Sequence, residues 1–356
     1  MRSLLVNALE KSKCCDNECC DIFESFNCCE RGCLGAFFAY RGLVSVCLDL
    51  YTIAKLSIFV LMENLEKEAA VALDYLSRIS KVAEKKFEEF LPPVSDRPER
   101  LHEAMRYSMF AGGKRLRPAL VRAAFDMFGG KGESVDYAMS ALEMLHTFSL
   151  IHDDLPCIDN DDFRRGKPTS HKQFGEATAV MAGDALCILA FELMGKTGNA
   201  KAIEVLAHLL GTYGMIGGEM IDIECEGKKV DLEIVDYIHY HKTAALIEAS
   251  LEVGARLAGA SEDDLKIIRN YGRSIGLAFQ IVDDILDIVS TTEELGKDAG
   301  SDIEKGKATY PALVGLEKSR ERAHELYEES LKALDGLKCD TTILRSIAAF
   351  IITRVK

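Results

Sequence analysis

The stretch His152-Asp153-Asp154-Leu155-Pro156-Cys157-Ile158-Asp159-Asn160-Asp161-Asp162 follows an apolar run, Met144–Ile151. A second cluster, Gln280-Ile281-Val282-Asp283-Asp284-Ile285-Leu286-Asp287, lies inside another apolar stretch. Carboxylates this close repel one another, and partial burial raises the cost. Hard divalent cations between them reverse the sign. Two such clusters far apart in sequence predict one cavity with carboxylates on facing helices.

The two clusters differ in local geometry. Asp283 and Asp287 are four apart and share a helix face, and Asp284 lies three before Asp287. Gln280 sits one turn earlier on the same stripe, so this cluster reads as a continuous helical metal edge. Asp153 and Asp159 are six apart, a spacing that does not align on a straight helix. Pro156 disfavours helical geometry at Leu155. The helix is expected to end or kink there, with the loop returning Asp159 toward Asp153. Asp161 and Asp162 read equally well as a solvated acidic loop.

Around the clusters the chain reads as helix. Trp is absent and Pro numbers 7 in 356 residues, a composition that favours helix. Apolar spacing of three to four residues runs from Leu65 to Phe90 and stops at Pro92-Pro93. Helical stretches are expected at about 98–110, 115–128, 134–155, 174–195, 199–215, 231–257, 261–290, 309–334 and 340–355. Gly129-Gly130, Gly166-Lys167-Pro168, Gly217-Gly218, Gly227 and Gly259 read as turns between them. No alternating strand pattern persists, so the expectation is all-α, one domain rather than two.

The first 61 residues stand apart. Eight of the 12 Cys fall within the first 47 residues, in doublets that fit no standard zinc spacing. The apolar segment 34–61 is interrupted by Arg41, Asp49 and Lys55, so membrane attachment through it is unsupported. Glu10, Asp16, Glu18, Asp21, Glu24 and Glu30 argue against reading the leader as a transit peptide. The expected division is 1–61, a Cys-rich and apolar leader outside the catalytic fold, and 62–356, the working domain. The other four Cys are scattered, as in a reduced compartment. That points to the cytoplasm, or to an organelle if the leader is a targeting segment.

The formal net charge is −14, which excludes general nucleic-acid binding. Basic residues nevertheless bunch at landmarks: Lys114, Arg115 and Arg117 after Gly112-Gly113; Arg164 and Arg165 about a helical turn beyond the first cluster; Lys242-Thr243 after His241; Lys297 after Gly296; and Lys307 after Gly306. In an acidic chain these read as phosphate clamps. No glycine-rich phosphate cradle occurs, so metals and side chains must hold the phosphate.

Taken together, Gly112–Pro118, His152–Asp162 with Arg164-Arg165-Gly166, Gly183-Asp184, His241-Lys242-Thr243 and Phe279–Asp287 resemble the motifs of the trans-isoprenyl diphosphate synthases. The resemblance runs from about Met62 to Lys356, with five motifs in the family's order. The four residues Leu155–Ile158 resemble the bacterial and plant-plastid branch; Val121–Phe125 lacks a Cys-x-x-x-Cys frequent in plastid enzymes, which leans toward a bacterial-type short-chain enzyme. The resemblance implies a single-domain helical bundle with a central cavity, of the isoprenoid synthase type, working as a homodimer on isoprenoid diphosphates. It implies Mg²⁺, with Mn²⁺ an alternative, on Asp153, Asp159 and Asp283. Asp154 would assist, and Asp284 and Asp287 would shape the second metal edge. Lys114, Arg117, His146 and Arg165 would bind isopentenyl diphosphate. Arg164, Lys242, Thr243, Gln280 and Lys297 would contact the allylic diphosphate.

Product length follows from helix rise. Phe148 and Ser149 lie five and four residues before Asp153. A helical turn rises 5.4 Å, roughly one extended isoprene unit. By the resemblance, a bulky side chain there limits elongation, favouring farnesyl diphosphate with geranylgeranyl diphosphate as the close alternative. Two rival classes are a class I terpene cyclase and a non-catalytic subunit of a heteromeric synthase. Against the first stand the second aspartate cluster and the Gly112–Pro118 motif. Against the second stands the intactness of both clusters.

Overall fold

The computed structural model describes residues 63–289, 307 and 309–354. The chain divides into two compact units, Met1–Glu66 and Lys67–Lys356, and the second carries all that follows. The leader and Lys297 lie outside the described residues.

Helix α1 (residues 63–90) ends before Pro92-Pro93, as expected. Then come α2 (Glu99–Met109), α3 (Leu116–Met127) and α4 (Ser134–Asp153). A two-residue hairpin, β1 (Phe163–Arg164) and β2 (Lys167–Pro168), precedes α5 (Ser170–Phe174) and α6 (Glu176–Lys196). The chain continues through α7 (Ala200–Leu210), α8 (Met215–Cys225) and α9 (Leu232–Ile238). A π-helical segment, His239–Ala244, leads without a break into α10 (Ala245–Leu257). Last are α11 (Glu262–Val289), α12 (Tyr310–Val314), α13 (Leu316–Leu334) and α14 (Thr342–Thr353). Polar caps start two of the short helices: the Asn199 side chain accepts from Ala202 N–H, and Asp231 accepts from Ile234 N–H.

Helices α4 and α10 are the centre of the bundle. Every residue of α10 from Ala245 to Ala255 is buried, and α4 buries Ala138 through Leu145, the all-round apolar character of a core helix. Helix α10 packs against both α4 and α11, so the two aspartate-bearing helices flank it. The approach to α11 is tight: a methyl group at Gly272 would press on Glu248 of α10, and one at Gly276 would overlap Ala244 of the π segment. That closeness carries the π segment against α11.

Two local readings are corrected. Gly217-Gly218 is not a turn but lies inside α8, and the helix expected over 199–215 stops at Leu210. Gly218 is there because α8 crosses the backbone of His241 and Lys242, where a side chain would collide; close packing, not chain reversal, selected it. The turn expected at Gly166-Lys167-Pro168 is present, as the tip of the β1–β2 hairpin. Arg165 and Gly166 both adopt positive φ, 53° and 73°, the backbone of a tight two-residue hairpin turn. Tyr107 O–H donates to Pro168 carbonyl at 2.8 Å and anchors it.

Candidate active site

A cavity of about 660 Å³ opens between α3, α4, α8, the π segment, α11 and α14. Its size suits a small organic ligand. Asp153, Asp283, Lys114, Arg117, His146, Phe148, Ser149, Arg164, Arg165, Lys242, Thr243 and Gln280 all line it.

Helix α4 ends at Asp153, and Asp159 N–H donates to the Asp153 carbonyl at 2.8 Å. The loop therefore brings Asp159 back beside Asp153, as the spacing and Pro156 required. Asp154 takes another direction. It is 3% exposed and accepts two hydrogen bonds from Arg164 Nε, at 2.7 and 2.9 Å. It anchors the hairpin arginine rather than facing the cavity.

The continuous metal edge expected on α11 is split. Asp283 lines the cavity. Asp284 is buried and turned to the other side, accepting from Tyr310 N–H at 2.9 Å and Gln280 Nε2 at 3.1 Å, with His239 Nε2 at 3.3 Å. Asp287 is also buried and does not line the cavity. The reason is geometric: adjacent helical residues point about 100° apart, so Asp283 and Asp284 cannot share a face. Gln280 links the two sides, because it also accepts from Thr243 Oγ1 at 2.7 Å.

The π segment explains why neighbours Lys242 and Thr243 both reach the cavity. Its wider turn changes the angular step between consecutive residues, a deviation often found at functional positions. Lys242 Nζ meets Glu219 at 2.7 Å and Asp222 at 2.6 Å. Burial works against its charge, but Asp222, Glu219 and Asp153 outweigh it and raise its pKa. Glu219 and Asp222, both on α8, were missed in the sequence. Their three-residue spacing between Met215 and Ile223 was the available signal, hidden by reading Gly217-Gly218 as a break.

Asp159 and Asp283 of this wall are also met by cations of the protein. Lys307 donates to Asp159 at 2.9 and 3.1 Å, and Arg354 Nη1 lies 2.8 Å from Asp283 Oδ1. Arg354, the residue just past α14, was also not foreseen; its guanidinium stacks 4.9 Å from the Phe279 ring centroid. Asp153 is pushed up to about 7 by burial, then by Glu219 and Asp159, against Lys242 and Arg164.

The opposite wall is cationic. Arg115, at the head of α3, is buried; it donates to Glu143 at 3.0 Å and to the Met109 carbonyl at 2.7 Å. This fixes the flanking Lys114 and Arg117. Lys114 Nζ sits 5.0 Å from the Phe350 ring centroid. Arg117 Nη1 donates to His146 Nε2 at 3.3 Å. Burial and then Arg117 and Arg165 hold His146 well below its usual range, so it is neutral at pH 7. Arg165 hydrogen-bonds the Gly112 carbonyl and lies flat on Gly113, where any side chain would collide with it. Burial lowers Arg165 to about 10; Glu143 opposes this, and Arg115, Arg164 and Arg117 add to it.

The donor set fits Mg²⁺ or Mn²⁺. Asp153, Asp159 and Asp283 offer hard carboxylate oxygens, and Glu219 Oε1 is buried without a hydrogen-bond partner. Among the described residues no three metal-binding side chains converge on one point. Mg²⁺ commonly binds through one or two carboxylates, with substrate phosphate and water completing the shell.

An all-α bundle with carboxylates and cations facing each other across a central cavity is of the isoprenoid synthase type. Residues 98–342 match the polyprenyl synthetase family, and the chain belongs to it. It is 45% identical over 318 residues to the heterodimeric geranylgeranyl pyrophosphate synthase large subunit 1, chloroplastic, of Arabidopsis thaliana, covering 85% of each chain. Among solved structures, an FPP/GFPP synthase from Zymomonas mobilis is 38% identical, with a TM-score of 0.69 over 80% of this chain and 99% of that one. A geranyltransferase from Helicobacter pylori complexed with magnesium and isoprenyl diphosphate is 33% identical, with a TM-score of 0.69 over 79% and 97%. Relatives thus come from both the bacterial and the plastid side.

Proposed function

We propose that the chain condenses isopentenyl diphosphate with allylic diphosphates to give farnesyl diphosphate, with geranylgeranyl diphosphate the close alternative. One observation carries this: a single cavity sets Lys114, Arg117, His146 and Arg165 against Asp153, Asp283, Arg164 and Lys242, with Phe148 beside them. That is room for two diphosphates and one growing hydrocarbon.

Arg164, Lys242, Thr243 and Gln280, with Lys297, orient the allylic diphosphate. Asp153, Asp159 and Asp283 would hold a divalent metal, which when bound would supply electrostatic stabilisation of the leaving diphosphate. Lys114, Arg117 and Arg165 hold isopentenyl diphosphate, with neutral His146 supporting Arg117. The allylic C–O bond breaks, the isopentenyl double bond forms the new C–C bond, and the proton lost passes to the released diphosphate. No side-chain nucleophile is required. Ile216, Met220, Ile223 and Phe279 line the same cavity and keep water from the cation.

Phe148 supports the shorter product, because its ring is 8% exposed and lines the cavity below Asp153. The decisive experiment is chromatography of products from isopentenyl diphosphate with C5, C10 and C15 allylic primers. Elongation that stops at C15 or C20 supports the reading. Hydrocarbon released from farnesyl diphosphate alone would establish a cyclase instead.

The assembly read here is a homodimer. Helix α6 presents Met181 and Ile188 at 53% and 71% exposure beside a broad groove with Pro98 and Met105. The name of the Arabidopsis relative favours a second reading, a catalytic subunit in a heteromer; light scattering of the purified chain separates the two. The chloroplastic label of that relative favours an organelle over the cytoplasm, and a fluorescent fusion with and without residues 1–61 tests it. A chain starting at Met62 is expected to fold and keep activity.

A further inference from the structure

The Gly183-Asp184 pair belongs to the motif set, yet neither residue has a part in the reaction above, and Gly183 does not line the cavity. Its position explains it. Gly183 lies on α6 where that helix packs against the last turn of α4. A methyl group built there would overlap the His152 imidazole at Nε2 and Cδ2. The missing side chain is a seat for that ring.

The seat is polar on one side. His152 Nε2 lies 3.2 Å from the Val180 carbonyl, which can only accept, so Nε2 carries the proton. Asp184 Oδ1 is 3.9 Å away, on the same side. Val180, Gly183 and Asp184 are spaced three and four apart, on one face of α6. The other side of the imidazole meets Phe148. The ring centroids are 5.4 Å apart and the planes 88° from parallel, an edge-to-face pair. Phe148 and His152 are four apart on α4, and both line the cavity.

We propose that His152 is a positioning residue for product length: seated on Gly183 and tied to the Val180 carbonyl, its imidazole braces the Phe148 ring across the path of the growing chain. This rests on the reading of Phe148 as the floor. A Phe ring lining an open cavity has no partner on its cavity side, so one stable orientation needs a buttress from its own helix. Released from the imidazole, the ring can rotate aside and admit another isoprene unit.

The test is the C20:C15 product ratio from isopentenyl diphosphate and the C5 primer. It is measured for Phe148→Ala, His152→Ala, the double variant and Gly183→Ala, each shown to be folded by thermal melting. Phe148→Ala should raise the ratio most. His152→Ala should raise it roughly two- to tenfold, the population shift an edge-to-face aromatic pair supports. The double variant should match Phe148→Ala, because His152 acts only through that ring. Gly183→Ala unseats the imidazole from a position that does not itself line the cavity, and should also move the ratio. If Phe148→Ala shifts the ratio but His152→Ala and Gly183→Ala do not, the proposal is overturned and the floor stands. An additive effect in the double variant also overturns it. An unchanged ratio in Phe148→Ala overturns the floor itself, and with it the brace. Product ratio is the informative readout, since loss of stability alone lowers rate without redistributing products.

Discussion

Replacing Arg115 by Ala tests whether the cationic wall is held from behind. The Arg115 side chain is 0% exposed and its partner Glu143 1%. Truncation removes the hydrogen bonds to Glu143 and to the Met109 carbonyl, and leaves a carboxylate buried without its cation. Breaking a buried pair from one side costs about 3–5 kcal/mol. For a domain of this size 1 kcal/mol shifts Tm by about 2–4 °C, so the melting temperature should fall by roughly 6–20 °C. An unpaired buried carboxylate escapes by taking up a proton, so the loss should be smaller near pH 5 than near pH 8. Adding Glu143→Met removes the stranded charge and should restore part of the loss. Function should respond on one side only: KM for isopentenyl diphosphate rises with Lys114 and Arg117 misplaced, and KM for the allylic substrate changes little. Calorimetry and two-substrate kinetics read both effects. A variant melting within about 2 °C of wild type, or a double variant no more stable than the single one, would refute this account of the wall.

Three further outcomes are expected. Because Asp153 sits at about 7, it must give up a proton to ligate metal; Mn²⁺ affinity measured by titration calorimetry should rise by up to about tenfold per pH unit below about 7 and level off above it, and Asp153→Asn should flatten the curve. The stability sign is opposite: the folded metal-free protein keeps a proton that the unfolded chain releases near 4, so Asp153 costs stability as pH rises from about 4 to 7. Asp283→Ala should cut kcat on the order of 10²-fold with little change in Tm. Asp284→Ala should instead lower Tm, since it strands the Tyr310 N–H and the Gln280 amide, at about 2–3 kcal/mol; equal effects of the two on kcat and Tm would undo the split of the α11 edge. Gly218→Ala should displace Lys242 and reduce kcat on the order of 10²-fold, the scale of a misplacement of about 1 Å, and wild-type kinetics would show that α8 does not set the π segment.

Much of the site could be read from local chemistry. The return of Asp159 to Asp153 followed from a spacing of six and a proline, because both act within one turn of chain. The helices followed from periodicity, since the apolar stripes of α4 and α11 are long. What escaped depends on contacts between distant segments. Gly217-Gly218 carries the composition of a turn, and only the crossing of α8 over Lys242 shows that it is helix. The hairpin rests on positive φ at Arg165, a conformation that a non-glycine residue adopts only under tertiary constraint. Asp284 and Asp287 look interchangeable with Asp283 in sequence; the packing of α11 against its neighbours decides which one faces the cavity. Lys307 stood out in sequence as a phosphate clamp but not as the partner of Asp159, while Arg354, Glu219 and Asp222 are ordinary surface residues by pattern; all four become part of the wall only when the bundle closes.

Two turns of a single helix carry His146, Phe148, Ser149, His152 and Asp153. On the proposed function, one rigid element therefore supports the second-substrate wall, the hydrocarbon path and the metal edge. A shift or rotation of α4 would move all three together and spoil the reaction before it altered the product. Exchanging one side chain on that helix leaves the backbone positions of the others in place. Catalysis is thus inherited through the backbone while chain length is open to revision residue by residue, so enzymes sharing this helix can diverge in product without relearning the chemistry.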